Sequence, residues 1–277
     1  MDYKDINNRL RKIAKQTGRI YFEILYLFLM ERFLARLSNS EYADRFVLKG
    51  GFLMIKRWAP YSRTTRDLDF VVQKIPRDDI VNVLNKICSI NLEDGIEYLF
   101  DNSSDIMTGD VYEGVRFLAK ASIGEKKLQE RLRIDVGFSD TPVPPPQSFI
   151  FKPEIHLIEG EEISVLVYGK ESIIAEKIES LVSKSDETTR MRDIYDIWKL
   201  LGQIDNYDVL QNSIKHVFEK RSSQTASLKN KFDDSFIKRI KPLWNIFITK
   251  NRLENLDIDV VITTIQDKLA FVFDIKN

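Results

Sequence analysis

Two aspartates separated by one residue, Asp67 and Asp69, lie in an alternating apolar stretch that ends at Val72. The alternation predicts a β-strand, and side chains two positions apart on a strand point to the same face, roughly 6–7 Å from each other. Carboxylates at that spacing can hold one or two divalent cations, which offset the charge of a triphosphate and help to ionise an attacking hydroxyl. The pair therefore indicates metal-dependent chemistry on phosphate groups, although the same pattern also occurs on solvated strand edges.

A third carboxylate, Asp135, lies in a second alternating stretch, 132–138, which predicts a neighbouring strand. An aspartate among isoleucine and valine requires a partner, because burying a lone charge is unfavourable. Either Arg133 or another local cation neutralises Asp135, or the carboxylate coordinates the metal or acts as a general base. The second interpretation is favoured, and it makes Asp67, Asp69 and Asp135 the predicted metal ligands.

A pair of glycines, Gly50 and Gly51, follows Lys49 and precedes a helical pattern that runs to Trp58. Glycine lets backbone amides approach phosphate oxygens closely, and the N-terminus of a helix adds a partial positive charge. A glycine pair on its own usually marks only a turn. Combined with the carboxylates, it predicts that Lys49, Gly50 and Gly51 cradle the β- and γ-phosphates of a nucleotide.

A later helical segment carries further charged candidates. Lys177 lies at i+4 spacing between Ile173 and Leu181, so its ammonium emerges from an apolar stripe. Such a lysine either extends to solvent or points into a cleft to contact phosphates. Asp193 and Asp196 share one face of the next helical stretch, either as a surface ion-pair network or as acidic groups of the site.

The elements that must position these residues fall into two groups along the chain. The first forty residues have the pattern of one or two helices, and helices and strands then mix up to Tyr168. From Glu171 onward helical periods dominate. This order predicts an α+β fold, in which a domain with a mixed sheet (1–168) is followed by an all-helical C-terminal bundle (169–277).

Composition limits the kind of metal site. Cys88 is the single cysteine, and His156 and His216 are the two histidines. An intrachain disulfide is excluded, and a structural zinc site is not expected. Carboxylates must therefore hold any metal, which favours Mg²⁺ or Mn²⁺. The lone cysteine fits a reducing compartment, so a cytoplasmic location is expected.

The most apolar stretch of the chain, 20–37, contains four charged residues, each of which is costly at bilayer depth. These are Glu23, Glu31, Arg32 and Arg36. The stretch is therefore predicted to be a buried helix, and no membrane partner is expected.

The overall charge is balanced, with 42 basic and 42 acidic residues. Contact with nucleic acid must then come from a local patch. The segment 215–252 holds ten cations against three anions. Such a patch can neutralise phosphates of an RNA acceptor, or it can be a solvated helix exterior. Trp244, in the same segment, is predicted to lie in the core of the bundle.

In their order and spacing these motifs resemble those of a known family. Leu-Lys-Gly-Gly at 48–51, followed by Arg-x-Thr-x-Asp-Leu-Asp at 63–69, resembles the first motif of the AbiEii/AbiGii-type toxin family of nucleotidyltransferases. That family belongs to the polymerase-β-like superfamily. Ala-Glu-Lys at 175–177 and Arg-Asp-x-Tyr-Asp at 192–196 resemble its later motifs.

The resemblance implies a polymerase-β-like nucleotidyltransferase domain and an enzyme that transfers a nucleoside monophosphate from a nucleoside triphosphate to an acceptor hydroxyl. Mg²⁺ or Mn²⁺ is the implied cofactor, and the implied acceptor is RNA, at the 3′ end of a transfer RNA. Lys177 becomes the nucleotide-binding lysine, and Asp193 or Asp196 the late acidic residue. Arg63 and Arg66 are expected to assist at the triphosphate. The family also implies a toxin of a toxin–antitoxin or phage-defence system, with a separately encoded antitoxin.

Two other interpretations stay open at this stage. A non-catalytic module on the same fold would bind a nucleotide or a partner without turnover, and the complete set of acids argues against it. A glycosyltransferase would also use Asp-x-Asp to hold a metal-bound nucleotide. That interpretation leaves Gly50, Gly51 and the segment 177–196 without a purpose, so it ranks last.

Overall fold

The computed structural model describes residues 3–58, 65–108, 111–138, 142–157, 159–183, 190–221, 223, 232–251, 253 and 256–270. Its helices are α1 (Tyr3–Thr17), α2 (Tyr21–Ser38), α3 (Gly50–Arg57), α4 (Ile80–Cys88), α5 (Lys170–Ser183), α6 (Arg190–Leu201), α7 (Tyr207–Lys220), α8 (Asp234–Lys250) and α9 (Ile258–Lys268). Its strands are β1 (Phe46–Lys49), β2 (Asp67–Val72), β3 (Ile96–Thr108), β4 (Val111–Ile123), β5 (Lys126–Phe138), β6 (Gln147–Phe151) and β7 (Ile163–Val167). The α+β class predicted from the sequence is therefore confirmed.

The chain divides into two compact units. The first comprises Met1–Thr141 and Pro146–Val167, and the second comprises Pro142–Pro145 and Tyr168–Asn277. The first unit contains the sheet, and in the part of the chain that the structure describes the second is built from helices. The division at residues 168 and 169 stays a prediction.

The first unit is organised by one seven-stranded mixed sheet in the order β3-β4-β5-β2-β1-β7-β6. The strands β3, β4 and β5 form an antiparallel meander. The central strand β2 pairs in parallel with β5 and antiparallel with β1. This central pairing brings the segment 67–72 beside both 46–49 and 133–138, which are distant in sequence.

The sequence pattern found most of these strands and underestimated several of them. It predicted strands at 98–100 and 115–121, whereas β3 and β4 each span 13 residues. The outer parts of these strands carry polar side chains that are not buried, so apolar alternation does not mark them. The pattern gave no strand at β6, an edge strand that follows a proline-rich segment.

Helix α2 is buried on nearly all sides, and its aromatic residues pack on the sheet. The ring of Phe33 lies 6.4 Å from the rings of both Phe70 and Tyr98, and Phe46 packs edge-on to Phe70. A helix that is apolar all round is expected in a core. The prediction of a buried helix at 20–37 is confirmed, and no helix among the described residues is long and apolar enough to span a bilayer.

Charged residues within α2 are neutralised by a buried ion network. Arg32 Nε lies 2.7 Å from Asp94 Oδ2, and Arg36 Nη2 lies 2.9 Å from Asp94 Oδ1. A second carboxylate, Glu161, lies 2.6 Å from Arg32. The side chains of Arg32, Arg36 and Asp94 are at most 1% exposed. The network fixes α2 to the segments before β3 and β7.

The second unit packs its helices around an aromatic centre. Trp244 on α8 is fully buried, and its Nε1 donates to the carbonyl of Leu256 at 2.8 Å. Tyr195 on α6 and Phe247 on α8 lie against it. Trp244 is therefore part of the bundle core, as its sequence context predicted.

Candidate active site

Pairing of two parallel strands brings the predicted carboxylates together. Strand β2 carries Asp67 and Asp69, and Asp135 on β5 stands opposite Asp69 in the register. One carboxylate oxygen from each of the three side chains lies within 4.8 Å of those of the other two. We call these three residues the acidic centre.

The glycine turn faces the acidic centre. Gly50 has φ +70°, a conformation that L-residues rarely adopt, and a Cβ at this position would overlap the carboxylate of Asp69. Only glycine fits this close approach. Because α3 begins at Gly50, the N-terminus of that helix lies against the carboxylates. Lys49, the last residue of β1, is opposite Asp69 in the register.

Crowding of like charges changes the protonation of the acidic centre. Burial, followed by the neighbouring charge of Asp67, raises the pKa of Asp69 from 3.8 to about 7, and Asp135 adds to the rise. The charges of Lys49 and Arg133 act in the opposite direction. Three carboxylates held this close favour the binding of either a proton or a cation.

Two arginines from the sheet partly neutralise the acidic centre. Arg116 on β4 donates from Nε and Nη2 to the carboxylate of Asp135, at 2.9 and 2.8 Å. Arg133 pairs with Asp67, and its Nε is 3.9 Å from Asp135. The local cation that neutralises Asp135 is therefore chiefly Arg116, which the sequence analysis did not identify. The pairing of Arg116 with Asp135 can be recognised only from the register of β4 and β5, which places the two residues opposite each other.

The donor set of the acidic centre fits a divalent cation. It offers three carboxylates, the hard oxygen ligands that Mg²⁺ and Mn²⁺ prefer. Burial and the neighbouring carboxylates raise the pKa of Asp69 despite the opposing charges of Lys49 and Arg133, so a bound cation would favour its charged form. Thr65 donates from Oγ1 to Asp67 Oδ1 at 2.7 Å and orients that carboxylate.

The second unit contains a separate charge cluster at the later motifs. Lys177 Nζ on α5 lies 2.8 Å from Asp193 Oδ1 and 2.7 Å from Asp196 Oδ2, both on α6. Arg190 donates to Asp193 Oδ2 and to Ser180 Oγ, both at 2.8 Å. Asp196 is fully buried, so it is not part of a surface network. The ion pair of Arg190 with Asp193 agrees with the predicted ion-pair network, whereas the pairing of Lys177 with the two aspartates was not predicted.

Comparison with known proteins identifies the family. The family model described as "Nucleotidyl transferase AbiEii toxin, Type IV TA system" matches residues 32–270. The chain belongs to this family. The matched range includes the acidic centre and the charge cluster of Lys177, Asp193 and Asp196. It confirms the family assigned from the motifs.

Solved structures give weaker likenesses. A nucleotidyltransferase from H. pylori is 18% identical, with 91% of this chain and 95% of that chain covered and a TM-score of 0.48. The protein JHP933 from Helicobacter pylori is 17% identical over 89% of each chain, with a TM-score of 0.46. No curated protein matches the chain at a significant level. The assignment to the AbiEii family therefore rests on the family model.

Three further residues were predicted to belong to the site from the AbiEii motifs, namely Gly51, Arg63 and Arg66. Gly51 is buried in the first turn of α3. Arg66 is exposed, and its guanidinium lies over the ring of Tyr26, 5.5 Å from the centroid. Arg63 lies outside the described residues.

Several cations of the basic segment 215–252 already have acidic partners. Lys241 pairs with Asp259, and Arg221 pairs with the buried Glu179. Lys215 lies 3.8 Å from Glu219 on the same helix. These pairs reduce the positive charge that this segment can offer to RNA.

Proposed function

We propose that this chain transfers a nucleoside monophosphate from a nucleoside triphosphate to a hydroxyl group of RNA, at the 3′ end of a transfer RNA, and releases pyrophosphate. The proposal extends the nucleotidyltransferase family assignment to a substrate and a metal dependence. The observation that carries it is the convergence of Asp67, Asp69 and Asp135 beside the glycine turn. The chemistry takes place in the cytoplasm.

In this proposal the acidic centre holds Mg²⁺ or Mn²⁺ through Asp67, Asp69 and Asp135. The cation, when bound, supplies positive charge for the triphosphate and lowers the pKa of an attacking hydroxyl. Gly50 and Gly51 present backbone amides at the N-terminus of α3, where anionic oxygens are favoured. Lys49 adds a positive charge opposite Asp69. Catalysis then depends on positioning and charge stabilisation, as in other phosphoryl transfers.

Arg116 and Arg133 orient the acidic centre in this proposal. Their guanidinium groups hold the carboxylates of Asp135 and Asp67. Both arginines are more than one-third exposed, so they can turn toward a phosphate when a cation replaces them at the carboxylates. The roles of Lys177, Asp193 and Asp196 in nucleotide binding stay predictions from the family motifs.

The enzymatic part is tested by incubating the pure protein with Mg²⁺, total RNA and each of four labelled nucleoside triphosphates separately. We expect label to enter RNA with one preferred nucleotide and to be lost in EDTA and in Asp69→Asn. The matched control is Asp105→Asn, which changes an aspartate on β3 that pairs with Arg77, both about half exposed. Labelling that persists in Asp69→Asn would remove the assigned role, and labelling lost equally in Asp105→Asn would indicate a non-specific effect.

The toxin part is tested in growing cells. We expect expression of the wild-type chain to arrest growth and expression of Asp69→Asn at equal level to permit it. Coexpression of the separately encoded antitoxin is expected to restore growth. Normal growth with active soluble wild-type protein would refute the toxin role and leave the enzymatic role intact.

A further inference from the structure

The β1–β2 pair has a second end, opposite the acidic centre. Because the strands are antiparallel, Lys49 stands opposite Asp69 at one end and Phe46 opposite Val72 at the other. A cavity of about 570 Å³ lies beyond the second end, within the range of roughly 300–1,000 Å³ that small-ligand sites occupy. The rise along a strand separates the ends by roughly 10 Å. The cavity is therefore distinct from the acidic centre.

Cations outnumber carboxylates in the lining of this cavity. Among the described residues that line it, three are cations (Arg45, Lys74 and Lys86) and one, Asp79, is a carboxylate. Ile75 and Val83 provide apolar surface between them. We call this site the basic cavity. A second carboxylate, Asp44, lies 4.0 Å from Arg45 but is 85% exposed, so solvent screens that pair.

Two of the cations are held in place by one buried ring. The guanidinium of Arg45 lies 5.6 Å from the centroid of Tyr42, and Lys86 Nζ lies 5.9 Å from it. Lys86 also donates to the Tyr42 hydroxyl at 3.2 Å, and that hydrogen bond raises the pKa of the lysine. Tyr42 is 7% exposed. The ring therefore contacts both positive charges beside the cavity.

The third cation occupies a strained backbone position. Lys74 has φ +57°, in the left-handed region where a residue other than glycine is disfavoured. The neighbouring residue Gln73 donates its backbone N–H to the carbonyl of Arg45 at 2.9 Å. This bond ties the segment after β2 to the segment before β1. The strained position therefore carries a cation at the mouth of the cavity, where glycine would relieve the strain.

We propose that the basic cavity binds the phosphate group of a nucleotide-sized ligand. Three cations in one concave site match the charge and the multiple oxygen acceptors of a phosphate. The apolar surface of Ile75 and Val83 suits the sugar or base attached to it. The phosphate belongs either to a free mononucleotide or to RNA, and binding at the basic cavity does not depend on the acidic centre.

Binding is measured on the full chain in EDTA and low salt, so that metal-dependent binding at the acidic centre is suppressed. The probes are a nucleoside monophosphate, followed by titration calorimetry, and a labelled RNA of eight nucleotides, followed by fluorescence anisotropy. We expect Lys86→Gln and Lys74→Gly each to weaken binding about tenfold, the effect of losing one charge-assisted hydrogen bond. The control Lys12→Gln, on the exposed face of α1, is expected to bind like the wild type.

Lys74→Gly separates lost binding from lost folding. Because glycine adopts a positive φ without strain, this variant is expected to unfold at a temperature no lower than that of the wild type while it binds less tightly. Mononucleotide binding that both variants weaken assigns the site to free nucleotides, and binding of RNA alone with the same dependence assigns it to an RNA phosphate. The proposal would be overturned if neither probe binds, or if the variants and the wild type bind equally well. Nucleotidyl transfer is not a readout, so either proposal can fail without the other.

Discussion

Two clusters of charged side chains in the first unit use the same residue types and differ in charge balance. Around Asp94, two arginines donate to one fully buried carboxylate. In the acidic centre, three partly buried carboxylates crowd together, and the arginines lie at the rim. Burial disfavours the charged form of Asp94, but the hydrogen bonds and charge of Arg36, with Arg32, lower its pKa below the usual value. Burial and Asp67 raise the pKa of Asp69 to about 7.

The two clusters differ in the direction of the pKa shift of their aspartates. The charges of the Asp94 network balance within the protein, since Arg32 and Arg36 face the carboxylates of Asp94 and Glu161, so the network contributes to holding the fold together. In the acidic centre, burial and the crowding of three carboxylates disfavour the charged form of Asp69, and a bound cation would offset both effects. Removing one carboxylate should therefore affect mainly activity in the acidic centre and mainly stability in the Asp94 network.

The largest expected effect is on activity. We expect Asp135→Asn to lower the rate of nucleotidyl transfer by roughly 100- to 1,000-fold, because it removes one of the three groups of the acidic centre. The same variant should change the free energy of unfolding by less than about 1 kcal/mol, since it also removes repulsion. Rates and urea unfolding curves are measured on the same preparation. If Asp135→Asn is active, or if it is inactive because it is unfolded, the claim that the acidic centre serves activity and not stability is contradicted.

The next effect is on stability. We expect Asp94→Asn to lower the free energy of unfolding by about 3 kcal/mol, because it leaves Arg32 and Arg36 buried with an uncompensated charge. The surface variant Asp105→Asn should lower it by less than about 1 kcal/mol. Chemical denaturation measures both values. A loss in Asp94→Asn no greater than that of the control would show that the network is not structural.

The close approach of Gly50 to the Asp69 carboxylate gives the third prediction. Gly50→Ala adds a Cβ at φ +70° that overlaps Asp69, so we expect a loss of about 2–3 kcal/mol in stability together with loss of activity. Gly18→Ala, at φ +66° with nothing within 4 Å of the added atom, should lose about 1 kcal/mol and keep its activity. Thermal unfolding and labelling of RNA measure the difference. Equal behaviour of the two variants would show that the turn does not touch the acidic centre.

The smallest effect is a pH dependence. Between pH 3.8 and about 7, folded Asp69 retains a proton that the unfolded chain releases, so its contribution to stability falls as pH rises through that window. We expect the wild type to lose about 1–2 kcal/mol relative to Asp69→Asn, since one pKa unit is worth about 1.4 kcal/mol and partial exposure reduces the effect. For Asp94, whose pKa is lowered, stability is instead lost as pH falls below 3.8. Denaturation of the metal-free proteins from pH 4 to pH 8 measures the Asp69 difference. A wild type that loses no stability relative to Asp69→Asn as pH rises would contradict the assignment.

Local periodicity explains what the sequence could predict. The strand that carries Asp67 and Asp69 and the helices on either side of it follow from alternation and helical spacing. Apolar alternation fails at β6, where the edge strand exposes Ile150. It also cannot pair residues across strands, so the contact of Arg116 with Asp135 appears only with the register of β4 and β5.

The sequence pattern also could not predict side-chain partners that depend on tertiary packing. Helical spacing places Lys177 on one side of α5, but the identity of its partners depends on how α6 packs against it. Arg66 stands beside the acidic motif in sequence, yet its guanidinium lies over Tyr26 on another element. The sequence pattern therefore identified three carboxylates that the fold brings together and an incomplete set of the cations beside them.

The central claim is that Asp67, Asp69 and Asp135 together bind a divalent cation. Its most direct test is a titration of metal-free protein with Mn²⁺ at pH 8, followed by electron paramagnetic resonance of the free ion, for the wild type, Asp69→Asn and Asp105→Asn. The claim predicts saturable binding that is at least tenfold weaker in Asp69→Asn and unchanged in Asp105→Asn. Equal affinity of all three proteins for Mn²⁺ would contradict it.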